Sequence, residues 1–182
     1  MNHSADTIRC RAKLLRPAIP KDASWAFLVL PTAASAKLPT RSMVTVHGLF
    51  DGHPFQATLE PDGQGSHWLK VDHALREAAG VAVGDTIPLA FAPVEVEPEP
   101  KLPVDLRKAL AAQPAALASW DDITPVARRD WIHWISSGKK AETRERRIRT
   151  ACDMLAAGKR RACCFDRSGI YSKAFSAPEA AE

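Results

Sequence analysis

The sequence predicts an α+β fold, with an N-terminal small closed β-barrel carrying one helix, followed by a C-terminal all-α domain of about four helices. Three observations carry this expectation. Six short runs of β-branched and aromatic residues fall within the first 93 positions, helix-start signals crowd residues 103–161, and APVEVEPEPKLP at 92–103 separates them. That segment alternates proline with glutamate and has little to bury, so it reads as a stiff, extended connector. The expected domains are 1–93 for the barrel, 94–102 for the Pro/Glu linker, 103–161 for a basic helical domain and 162–182 for an irregular tail.

The strand runs are TIRCRAKLL (7–15), WAFLVL (25–30), MVTVHGLF (43–50), PFQATLE (54–60), HWLKV (67–71) and DTIPLAF (85–91). Several alternate in character, and turn chemistry separates them. Asp51-Gly52 predicts a tight hairpin, because a type I′ turn needs positive φ at both central residues. PDGQG at 61–65 predicts a looser one. One helix interrupts the strands, with Asp72 as N-cap of HALREAA and Gly80 as its stop. Closing such strands into a barrel removes their exposed edges.

After the connector the pattern turns helical. Pro103 and Pro114 stand where helices begin, and Thr124-Pro125 supplies an N-cap followed by proline at the first helical position. That third helix runs through VARRDWIHWISS and ends near Gly138. A fourth, from about 140 to 157, places Ala141, Ile148, Ala151, Cys152 and Leu155 on one stripe and stops at Gly158. The closing FSAPEAAE shows no periodicity and is expected to be disordered.

With 182 residues and 46% apolar content, the chain can bury one sizeable core or two small ones. No window approaches the roughly 20 apolar residues of a membrane helix. The start, MNHSADTIRCR, lacks the basic-then-apolar layout of a secretory signal, so a cytoplasmic protein is expected. The four cysteines lack CxxC spacing and predict reduced thiols rather than a zinc site or disulfide scaffold. What Cys163 and Cys164 do is not legible. The net charge of +4 is unevenly spread: residues 1–100 hold nine bases and eleven acids, residues 101–182 sixteen bases and ten acids.

Nine of the 25 Lys and Arg fall in KKAETRERRIRTACDMLAAGKRR, residues 139–161. Glu142–Arg146, Glu145–Arg149 and Arg149–Asp153 are spaced for ion pairing along a helix. Lys139, Lys140, Arg144 and Arg147 remain over and are the candidate anion-binding residues, the two lysines in a first turn where the helix dipole disfavours cations. Their counter-charge is either internal, from Asp121, Asp122 or Asp130, or external, from nucleic-acid phosphate or an acidic protein or lipid surface. Trp131 and Trp134, interleaved with Ile132 and Ile135 at helical spacing, read as core. A second candidate is an interdomain pocket holding Trp68, Arg144 and Arg147, since ligands favour domain interfaces.

Five of the six histidines, His3, His47, His53, His67 and His73, lie in the barrel half without a metal-ligand motif, so no metal is expected. His47 and His67 read as surface or satisfied core residues. No GxSxG and no evident Cys–His or carboxylate pair marks a catalytic centre, so no catalytic residue and no cofactor are assigned.

The second half, with LPVDLRKAL, SWDDITPVARRDWIHWI, KKAETRERRI and LAAGK, resembles the bacterial YdeI/OmpD-associated family, named for bacteriocin protection and association with an outer-membrane porin. The first half, with WAFLVLP, VHGLFDGHPFQATLEPDGQGSHWLKV and GVAVGDTIPLAF, resembles the domain of unknown function that often precedes it. The resemblance implies a double-split β-barrel, a group that includes DNA-binding regulators and antitoxins, and a role in stress or antimicrobial-peptide tolerance. The reading is a non-enzymatic binding protein. Its alternatives are a nucleic-acid-associated protein using the basic helix, and a small-ligand binder or enzyme with a site between the domains.

Overall fold

A computed structural model describes residues 6–162 and 175–182. His3, Cys163 and Cys164 lie outside the described residues. Among those described, residues up to Glu95 together with Phe175–Glu182 form one compact unit, and Val96 onward to Ala162 a second.

The first unit is a nearly closed barrel of β1 (Ile8–Lys13), β2 (Ala26–Val29), β3 (Val44–Phe50), β4 (His53–Pro61), β5 (His67–Val71) and β6 (Thr86–Pro93). Every pairing is antiparallel, in the order β1-β6-β3-β4-β5-β2. The two ends of that order meet where Leu15 and Phe27 exchange backbone hydrogen bonds of 2.7 and 2.9 Å. Alternation sends Ile8, Ala12, Val46, Phe50, Ile87, Leu89 and Phe91 into one core.

The turn chemistry behaves as expected. Asp51 and Gly52 take φ of 47° and 79°, as a type I′ turn requires. In the looser hairpin the Asp62 carboxylate accepts from the amides of Gln64 and Ser66, both at 2.8 Å. Helix α2 (His73–Ala79) starts where Asp72 accepts from the Leu75 amide at 2.8 Å and stops at left-handed Gly80. A helix not expected from the sequence, α1 (Thr32–Ser35), is one turn long, too short to show periodicity.

The second unit packs α3 (Val104–Ala111), α4 (Pro114–Asp122), α5 (Pro125–Ser136) and α6 (Ala141–Ala156) around Leu106, Leu110, Trp120, Trp131, Ile135 and Leu155. Thr124 caps α5 through the Ala127 amide, and Ile148, Ala151, Cys152 and Leu155 form the buried stripe of α6. Ala141, expected on that stripe, is exposed because it opens the helix ahead of the packed turns.

Two segments differ from expectation. The FSAPEAAE stretch is ordered against the barrel rather than disordered: Ala18 donates to Glu179, Ala181 to Arg16 and Ala177 to Asp62 through backbone amides. The connector glutamates are engaged as well. Glu97 pairs with Arg129 at 2.9 Å and Glu99 with Arg128 at 2.7 Å, which binds this stretch to α5.

Candidate functional site

The sequence-predicted site residues sit on α6 and just before it. This helix forms because its apolar residues recur at helical spacing on a strongly charged background. Lys140 occupies the N-cap position without capping through its side chain, and Glu142 is the acid in the first turn. Lys139 and Lys140 are exposed, and their side chains have no hydrogen-bond or ion-pair partner among the described residues.

Arg144 has an internal partner, and it is none of the three aspartates expected. Its Nε and Nη2 grip both carboxylate oxygens of Asp105, in the first turn of α3, at 2.6 and 3.0 Å. This two-point geometry holds the Asp105 carboxyl below its ordinary range and raises the pKa of Arg144. The expected aspartates serve other arginines. Asp121 offers its carbonyl to Arg128, Asp122 pairs with Arg160, and Asp130 lies against Arg129 with Arg161 at 3.7 Å.

Arg147 is also turned inward. It donates to the Trp134 carbonyl and to Ser137 Oγ, both at 2.6 Å, and lies over the Trp134 ring. Those acceptors are at the C-terminus of α5, where carbonyls lack partners within their own helix. The same device recurs. Arg128 donates to the carbonyls of Trp120 and Asp121 at the end of α4, and Arg160 to that of Asp122. Arginines thus tie helix ends together throughout this unit.

The outer face of α6 carries the opposite surprise. Glu142, Glu145, Arg146, Arg149 and Asp153 are exposed, and none forms the pair that its spacing allows. Three acids and two bases share that face, so it is a mixed solvated surface rather than a cationic one.

The remaining candidates belong to other elements. Trp68 belongs to the barrel unit, 9% exposed and edge-on to Phe27, while Arg144 and Arg147 belong to the helical unit. Trp131 is fully buried and Trp134 half-buried, the two rings edge to face. His47 is exposed on β3. His67 is a satisfied core residue: Nε2 bonds the Ser42 carbonyl at 2.8 Å, which assigns its proton there and leaves Nδ1 to accept from Ser35 Oγ at 2.6 Å. A serine hydroxyl on an imidazole nitrogen is a nucleophile's geometry, but Ser35 and His67 are 6% and 1% exposed, so the bond fastens α1 to β5. No group of three metal-ligating side chains converges among the described residues.

Residues 99–158 match the family described as bacteriocin-protection, YdeI or OmpD-associated, and residues 11–90 match a domain of unknown function (DUF1905). The match to the YdeI/OmpD-associated family thus falls on the helical unit, and that to the domain of unknown function on the barrel. No curated protein matches the chain. The YdeI/OmpD-associated match covers α3 to α6 and takes in Glu99, whose carboxylate meets Arg128. The ETRERRI run toward its C-terminal end contributes Arg144 and Arg147, the two joints of α6. Sequence reasoning missed Asp105, Glu97 and Glu99 as partners, because ion pairs across different helices leave no spacing to read.

Proposed function

We propose that this protein is a non-enzymatic binding protein acting in stress or antimicrobial-peptide tolerance, and that Lys139 and Lys140 meet an acidic protein surface. The observation that supports this is the division of roles around α6. Arg144 and Arg147 have internal partners and set the helix in place, whereas the two lysine side chains are exposed and, among the described residues, unpaired where the helix dipole repels them. An external carboxylate there relieves both conditions. Cys10 and Cys152 are free thiols, which fits a reducing cytoplasm. In addition, no helix among the described residues is long and apolar enough to cross a membrane.

The second reading is nucleic-acid association through the same lysines. Two phosphate contacts give a salt slope of only about −1.8, so affinity falls roughly tenfold between 50 and 200 mM salt, a weak grip. Because two contacts make so weak a phosphate grip, the protein-partner reading is favoured.

The test is survival of a sensitive bacterium challenged with a bacteriocin, with and without the protein, alongside DNA and RNA binding across a salt series. Protection by wild type that Lys139→Glu/Lys140→Glu abolishes while remaining folded supports the proposal. Protection unaltered by that variant removes the lysines from the mechanism. Steeply salt-dependent nucleic-acid binding that the variant loses establishes the second reading in its place.

A further inference from the structure

The barrel unit carries a cationic surface of its own. On β1, Arg9, Arg11 and Lys13 are exposed, while the alternating Ile8 and Ala12 are buried and Cys10 half-buried. Alternate strand residues share a face, so these cations recur every ~6.7 Å along the outside of the barrel. Registry sets Arg9 beside Ala90 and Arg11 beside Pro88 on β6, with Ala90 in turn beside Leu49 on β3.

Leu49, Pro88 and Ala90 thereby become an apolar floor next to two guanidiniums. Together with Cys10 they line an open depression of about 500 Å³. Leu49 is 44% exposed, an unusual position for a large aliphatic side chain on a sheet. The Arg9 and Arg11 side chains have no hydrogen-bond or ion-pair partner among the described residues, in contrast to Arg128, Arg129, Arg144, Arg147 and Arg160 of the helical unit. No carboxylate is among the lining residues.

We infer that this face binds a small amphiphilic carboxylate, its head held by Arg9 and Arg11 and its apolar body laid on Leu49, Pro88 and Ala90. Guanidinium forks match a carboxylate at two points, and unpaired arginines gain most from such a partner. The volume falls in the ~300–1,000 Å³ range of small-molecule sites. Each methylene laid on the floor adds at most about fourfold in affinity, so a short chain suffices.

A nucleic acid suits the face less well on two counts. No aromatic side chain lines it to stack a base. A long polyanion would also meet the eleven acids that outnumber the nine bases of residues 1–100, whereas a small anion needs only the local pair.

The experiment is a titration of the full-length chain, followed by amide chemical shifts, with four probes: octanoate, 1-octanol, inorganic phosphate and phosphatidylglycerol vesicles. The expected result is saturable shifts at Arg9, Arg11, Leu49 and Ala90 with octanoate. Arg9→Gln/Arg11→Gln weakens that binding by about tenfold or more. Leu49→Gln, a change at an exposed position that leaves the barrel folded, weakens it severalfold. Equal binding of 1-octanol overturns the inference by making the arginines irrelevant, and equal binding of phosphate does so by making the floor irrelevant. Binding to vesicles alone makes the face a lipid-surface contact and overturns it too. So does an absence of saturable shifts on this face.

Discussion

Arg147 on α6 donates to the Trp134 carbonyl at 2.6 Å while its guanidinium lies 5.4 Å from the centroid of the same residue's ring. One side chain therefore satisfies a helix-end carbonyl and covers the half-buried indole beside it. Arg147→Ala is expected to destabilise the helical unit by roughly 1–2 kcal/mol, combining lost charged hydrogen bonds with a lost cation–π contact while Ser137 Oγ still donates to the Trp134 carbonyl. Arg147→Lys should recover only part, since an ammonium cannot reach both Trp134 and Ser137 in the same planar geometry. Urea unfolding followed by tryptophan fluorescence measures both. A loss below about 0.5 kcal/mol for the alanine variant would show that the joint contributes nothing beyond ordinary surface packing.

The Arg144–Asp105 pair makes stability pH-dependent in a definite direction. Its folded carboxyl titrates below the ordinary value, so the pair's contribution is fully present above the unfolded pKa of about 3.9 and is lost as pH falls toward the folded one. Both side chains are partly exposed, which limits the contribution to at most about 1 kcal/mol. The stability difference between wild type and Asp105→Asn should stay constant from about pH 7 to 5 and shrink below about pH 4. A difference that grew on acidification would contradict the assignment.

Gly48 on β3 lies against β6 so closely that a Cβ would fall 2.6 Å from the Phe91 Cα and closer still to the Ala90 carbonyl oxygen. The opposing atoms are backbone and cannot swing aside. Gly48→Ala is expected to force the strands apart at a cost of about 3 kcal/mol. For a domain of this size that lowers the thermal midpoint by roughly 12–24 °C. A melt within about 2 °C of wild type would mean that the sheet adjusts freely there.

The ordered tail is testable by deletion. Phe175–Glu182 return to the barrel through the backbone bonds of Ala177, Glu179 and Ala181, and the Phe175 carbonyl packs 2.8 Å from where a Gly63 Cβ would stand. Removing 175–182 exposes three hydrogen-bonded sites and should lower barrel stability by about 1–3 kcal/mol. Gly63→Ala should reproduce part of that loss, being strained both by its positive φ and by Phe175. Hydrogen exchange at the Ala18 amide, which donates to the Glu179 carbonyl, resolves the effect locally, and unchanged protection after deletion would refute it.

These features separate what the sequence exposes from what it hides. Strands, hairpins and caps depend on neighbours in the chain, so Asp51-Gly52, Asp72 and Thr124-Pro125 announce the barrel turns and helix starts directly. The arginine joints depend on residues 39 positions apart, as in Arg144 and Asp105, and spacing along one helix points instead to pairs such as Glu142–Arg146 that do not form. Proximity in sequence favours such pairs only weakly, whereas a fixed fork between two packed helices loses less side-chain entropy. The tail misled for a related reason, because backbone hydrogen bonding leaves no mark on composition. The Arg9–Arg11–Lys13 face was legible in the alternation of β1 but hidden by the net acidity of its half of the chain.

Asp130 offers the opposite pH signature to Asp105 within the same unit. Burial pushes its carboxyl above the ordinary range, and Arg129, Arg161 and His133 only partly counter this. Arg129 divides its charge between Asp130 and Glu97, so neither carboxylate has the guanidinium to itself. A folded pKa above the unfolded one means that the stability it contributes is present below about pH 3.9 and lost as pH rises through the folded value. Relative to wild type, Asp130→Asn should therefore gain stability as pH rises through that range, while Asp105→Asn loses it. Denaturant unfolding of both variants between about pH 3 and 7 compares the two slopes directly. Parallel slopes would show that Arg129 holds the Asp130 carboxylate as firmly as Arg144 holds Asp105, making the buried cluster a strong ion pair rather than a strained one.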